Sequence, residues 1–257
     1  MWGKQNLTQL AHAVGRGRKW VRSRLDENIP TRKEIISQPT VVIPDTTFFG
    51  TTYGICVFRP PDLKKNLWWT KVEKEVMATY YYGRKILEDK GWTFTAAVVD
   101  GRRGMTTVFK DIPVQVCQFH QMKTVTKYLT RRPETLAGIE LRGIMLLLPK
   151  SNEKEYAKLL SDWKKEWSEI LTDKTCILGT KRWYYTYKKV RSAYMSLERN
   201  LPYLFTYQKY PELHIPNTTN SLDGSFTHLK DKTNIHHGLR KDRRYKMIQE
   251  ILGGEEK

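Results

Sequence analysis

Three shortages bound this chain before any motif is read. No uninterrupted apolar run approaches the roughly 20 residues that a membrane span needs, and the opening MWGKQNLTQL lacks the apolar stretch of a secretory signal. The expectation is a cytoplasmic protein with no membrane partner. Cysteine is scarce: Cys56, Cys117 and Cys176 lie far apart in 257 residues, which points to reduced thiols rather than a disulfide framework. Acid is short as well, with 27 Asp and Glu against 45 Lys and Arg, a net charge of +18. A field of that sign attracts polyanions and favours salt-sensitive association with nucleic acid, so a nucleoid association is expected when DNA is bound. There is no internal repeat and no low-complexity tract. What is present suffices for a core, since 39% of residues are hydrophobic and 8 Trp and 14 Tyr are among the aromatics.

Residues 1–28 contain NLTQLAHAVGRGRKWVRSRLDE, which reads as two short amphipathic helices around a turn at Gly15. Leu7, Leu10, Ala11 and Val14 mark the inner face of the first, and Val21 and Leu25 that of the second. This is a helix-turn-helix pattern. Its second helix carries Arg16, Arg18, Lys19, Arg22 and Arg24, candidates for DNA contact if that helix enters a major groove, or a solvated basic face if it does not. A proline-bounded linker, 29–40, follows.

From residue 41 the pattern becomes strand-like: VVIPDTTFF, TYGICVF and LWWTKVE read as a three-strand meander. EKEVMATYYYGRKILEDKG then has helical spacing and stops at Gly91. FTAAVVD reads as a buried parallel strand, GRRGMTTVFK as a brief helix and IPVQVCQFH as another strand. Beyond Met122 the chain is expected to be helical and charge-laced, with no convincing strand until the end. The order β-β-β-α-β-α-β is the ribonuclease-H-like one, a mixed α/β sheet in which the first and fourth strands are neighbours. Asp45 interrupts the apolar run Val41 to Phe49, and Asp100 ends the fourth strand. Two neighbouring carboxylates repel unless a cation lies between them, and oxygen-only ligands favour Mg²⁺ or Mn²⁺. A loop-capping role is the plainer reading of Asp100.

VVIPDTTFFG, AAVVDGRRGMTTVF, VQVCQFHQMKTVTKYLT and NTTNSLDGSFTHLKDKTNIHHGLRKDRR, taken together and in this order, resemble the bacterial insertion-sequence transposases of the Mutator-like superfamily over roughly residues 41 to 250. The resemblance implies a ribonuclease-H-like catalytic core with an acidic triad, a large all-helical insertion, two divalent ions and double-stranded DNA as substrate, both transposon ends and target. It implies catalytic and metal-binding roles for Asp45, Asp100 and Asp223, the last just after a TTN motif. The family usually has Glu at that third place, and a shorter side chain alters metal reach; Glu198 and Glu212 are alternatives for the same role. The implied division is a core in two parts, 41–122 and 213–257, around an insertion at 123–212, with a homo-oligomer on DNA because two ends must be joined.

Cys117 and His120 are similar to the Cys-x-x-His signature of this group; one Cys and one His make half a zinc site, which favours a structural or active-site-adjacent role. In KRWYYTYKKVR, Lys181, Arg182 and Trp183 suit phosphate contact with base stacking or wedging, unless the segment is a helix packed within the insertion. Lys230, Lys232, Arg240, Arg243 and Arg244, just past Asp223, are placed to hold substrate phosphates. An Asp-x-Asp phosphatase is excluded by DTT at residues 45–47, and an aspartic protease by Thr47 where Gly is required. Two functions stand: a metal-dependent transposase, or an inactive DNA-binding derivative of one.

Overall fold

The computed structural model describes residues 5–27, 35–63, 65–236 and 238–253. Half of the linker, 29–34, and His237 of the basic tail lie outside the described residues. The chain divides into two compact units, Met1–Thr93 with Asn220–Lys257, and Phe94–Thr219.

The first unit opens with α1 (Leu7–Ala13) and α2 (Arg18–Glu27). Asn6 and Gln9 form a reciprocal capping box at the head of α1, and Gly15, at φ +62°, makes the left-handed turn into α2. Ala11 and Val21 are buried as the helical spacing requires, whereas Val14 stands in solvent. The expected pair of helices is present.

The meander is present too. β1 (Pro39–Phe49), β2 (Tyr53–Arg59) and β3 (Trp68–Val72) run antiparallel, with Asp45 opposite Val57 and Val57 opposite Trp69. Every residue of β2 is buried, Arg59 included, and its run Tyr53–Phe58 is accordingly apolar without alternation. α3 (Met77–Asp89) follows and packs on β2 and β3. A Cβ on Gly83 of α3 would lie 2.6 Å from the Trp68 ring and 2.8 Å from Phe58, so only glycine permits this approach. Gly91, at φ +86°, ends the helix as expected.

The second unit holds β4 (Thr93–Val99), whose first residue belongs to the first unit, then α4 (Met105–Val108) and β5 (Val114–Val116). β4 and β5 are parallel, with Val99 paired to Val116. The expected strand IPVQVCQFH is cut short: β5 ends at Val116, Cys117 is an N-cap, and Gln118 already begins α5 (Gln118–Leu129). The five strands form one mixed sheet in the order β3-β2-β1-β4-β5.

Then come α6 (Leu136–Leu147), α7 (Glu153–Glu166) and α8 (Ser168–Thr172). An unexpected hairpin, β6 (Lys174–Cys176) with β7 (Trp183–Tyr185), interrupts the helical stretch before α9 (Lys188–Leu204) and α10 (Thr206–Lys209). Trp163 of α7 stacks on Tyr194 of α9 at 5.1 Å and donates its indole N–H to the carbonyl of Ala137. α11 (Asn220–Ile235) and α12 (Lys241–Gly253) return to the first unit. Among the described residues no helix is long and apolar enough to cross a membrane.

Candidate metal centre and basic surfaces

Asp45 is half-buried in β1, directly before Thr46, whose backbone N–H donates to its Oδ1 at 2.7 Å. Glu75 lies in the bend between β3 and α3 and was not a candidate from sequence; flanked by Lys74 and Val76, it reads there as one charge of a solvated run. Tyr80 of α3 ties it down. The Tyr80 hydroxyl donates to Glu75 Oε1 at 2.7 Å, and its oxygen lies 2.8 Å from Thr46 Oγ1. An ionised carboxylate only accepts, so the Tyr80 proton belongs to Glu75 and the Thr46 hydroxyl donates to Tyr80. Burial, with the nearby Cys56 and Glu75, raises the Tyr80 pKa and keeps that proton on the phenol.

Asp100 follows β4 immediately and is half-buried. It does cap its loop, with Oδ1 accepting from the N–H of Arg102 at 2.9 Å. Gly101 makes the turn possible: at φ +79°, with a would-be Cβ 2.9 Å from Val116, it admits no other residue without strain.

Asp45 and Glu75, both in the first unit, each offer one carboxylate oxygen, and the two atoms lie within 4.8 Å of each other. Hard oxygen donors so close are suited to Mg²⁺ or Mn²⁺ and poorly suited to zinc. Asp223 is half-buried in the first turn of α11, on the late helix where it was expected, and is outside this group. Glu198 is held by Lys164 and Tyr194, each at 2.7 Å, and Glu212 stands in a short 3₁₀ turn.

Cys117 and His120 belong to another constellation. The Cys117 sulfur accepts from the backbone N–H and from the hydroxyl of Thr219, both at 3.3 Å, and the same hydroxyl lies 3.1 Å from His120 Nδ1. Gln118 N–H donates to the Asn217 carbonyl at 2.9 Å, and Asn217 returns a side-chain bond to Gln118 at 3.2 Å. The Cys-x-x-His turn thus fastens the NTT segment, 217–219, to the head of α5. Burial pushes the Cys117 thiol up, but hydrogen bonds from His120 and Thr219 outweigh it and leave the pKa lowered.

The basic candidates fall on three surfaces. Arg18, Lys19, Arg22 and Arg24 are exposed on α2, with Arg16 just before it. Trp20, which composition alone did not single out, is half-exposed with Arg16 and Arg24 each 5.7 Å from its ring. Lys181 and Arg182 are exposed in the loop entering β7, and Trp183 lies on the hairpin beneath Lys174 Nζ at 4.0 Å, so the packed-helix alternative for this segment does not hold. On the third surface Lys230 is exposed and Lys232 half-buried on α11, Arg240 is exposed before α12, and Arg243 and Arg244 are half-buried on it.

A comparison with protein-family models, curated proteins and solved structures finds no match for this chain.

Proposed function

We propose that the protein is a DNA transposase that hydrolyses phosphodiester bonds at the ends of its element and transfers the freed strands into target DNA. The observation that carries this reading is the close carboxylate pair of Asp45, in β1, and Glu75, just before α3, in a strongly basic α/β chain whose β4 also ends on an acid, Asp100. Divalent ions held by these oxygens would supply activation of the attacking oxygen and stabilisation of the leaving one. The chain's own residues have separate tasks. Tyr80 orients Glu75 by donating to its Oε1, the Thr46 amide orients Asp45, and Gly101 lets the loop turn tightly after Asp100. Asp223 is the third acid that the transposase resemblance assigns, at the head of α11. The exposed cations of α2, of the β6–β7 loop and of the tail would take DNA phosphates. Joining two ends calls for at least two copies of the chain on DNA.

Strand cleavage of a labelled duplex carrying the gene's own flanks, with Mn²⁺, tests the reading. Wild-type protein is expected to cut at a defined boundary, and Asp100→Asn and Glu75→Gln are expected to bind the duplex without cutting it. Wild-type protein that binds but never cuts would leave an inactive DNA-binding derivative as the better account.

A further inference from the structure

Two basic segments far apart in the chain meet within the first unit. Arg243 of α12 grips Asp26 of α2 at two points, Nε to Oδ1 at 2.7 Å and Nη2 to Oδ2 at 2.5 Å, and Lys246 donates to the Asp26 carbonyl. The hydrogen bond from Arg243 holds the Asp26 carboxyl below its usual range, so the pair is charged at neutral pH. Beside it opens a cavity of about 360 Å³. Leu7, Leu25 and Leu239 give it apolar surface, and Arg22, Arg240, Arg243 and Lys246 give it four cations against the single carboxylate of Asp26.

We infer that this cavity grips one stretch of the sugar-phosphate backbone of duplex DNA. The cations suit phosphate oxygens, and Arg in particular meets phosphate with a two-pronged donor fork. A bare anion would leave the leucines uncovered, whereas deoxyribose carbons cover them. Cations spent on phosphate oxygens and apolar carbons set against sugar fix position without selecting sequence. Asp26 acts as an internal counter-charge that presents Arg243 at the rim. This inference rests on the DNA-acting reading above.

Fluorescence anisotropy with a labelled duplex in EDTA isolates the cavity from cleavage. Arg22→Ala with Arg240→Ala is expected to lower the slope of log K against log salt by about 1.8, since each lost phosphate contact removes about 0.9. The loss is expected to be the same for unrelated duplex sequences. Arg22→Lys with Arg240→Lys keeps both charges and is expected to restore most of the slope. As a charge-matched control, Lys154→Ala with Lys158→Ala, both exposed on α7, is expected to leave it unchanged. An unaltered slope in the arginine pair, an equal drop in the lysine control, or displacement of the duplex by an acidic peptide at equal charge concentration would each overturn the inference. Duplex binding that responds as expected, in a protein that never cuts with Mn²⁺, would sink the transposase reading alone; no duplex binding at all would sink both.

Discussion

Cys56 and Cys117 are both fully buried, yet their thiols move in opposite directions. In β2, burial, with the negative charges of Asp45 and Glu75 and against a hydrogen bond with Thr46 that offsets only part of the rise, lifts Cys56 to about 12. At the head of α5, burial also lifts Cys117, but the donors His120 and Thr219 reverse the sign. Desolvation sets the cost of a buried charge, and local donors decide whether it is met. Around Cys56 burial and the neighbouring charges both oppose an anion, whereas the donors at the head of α5 favour one.

The largest effect expected from this contrast is on stability. Cys117→Ala removes the acceptor of both Thr219 donors and should cost about 1–3 kcal/mol in urea unfolding. Cys56→Ala removes one small apolar group and should cost about 1 kcal/mol. Equal losses would erase the contrast.

A pH series sharpens it. The folded pKa of Cys117 lies below the ordinary 9.0, so its contribution is complete above pH 9.0 and is lost as pH falls through the folded value. Cys56, raised from 9.0 to about 12, contributes in full below pH 9.0 and loses that contribution as pH climbs toward 12. The stability gap between wild type and each alanine variant should thus widen with rising pH for Cys117 and narrow above pH 9.0 for Cys56; parallel curves would break the comparison.

The smallest effect separates the donors. In a background with Cys56 and Cys176 replaced by Ala, thiolate ultraviolet absorbance should titrate at higher pH after His120→Ala, and by a lesser rise after Thr219→Val. A larger rise for Thr219→Val would reverse the order of the two donors.

Much of the sheet was legible in the sequence because its strands are long or fully apolar and its breaks are chemical. β1 and β2 announce themselves by β-branched runs, and Gly91 by the left-handed turn it must make. β6 and β7 did not, since three residues apiece give too short a period to see, and the alternation in Trp183–Tyr185 is masked by aromatic residues on both faces. β5 was read too long because Cys117 and Phe119 are as apolar as a strand requires; only the helical start at Gln118 turns them out of register. In the site, Asp45 and Asp100 were visible as acids set against apolar strands. Glu75 was hidden among charged neighbours, and what distinguishes it is the phenol of Tyr80, five positions away and across a helix start. Trp20 was hidden for a similar reason, since its role depends on two arginines one turn to either side.

The grip of Arg243 on Asp26 joins residues 217 positions apart, among the least local contacts the chain makes. Such contacts close late, because the intervening chain must be ordered before they return any free energy. At a synthesis rate of roughly 5–20 residues per second, α2 leaves the ribosome about 10–40 s before its partner helix exists. Over that interval the N-terminal helix pair carries Arg22 and Arg24 with no α12 beside them, and the cavity lined by both segments is among the last features of the nascent protein to be completed.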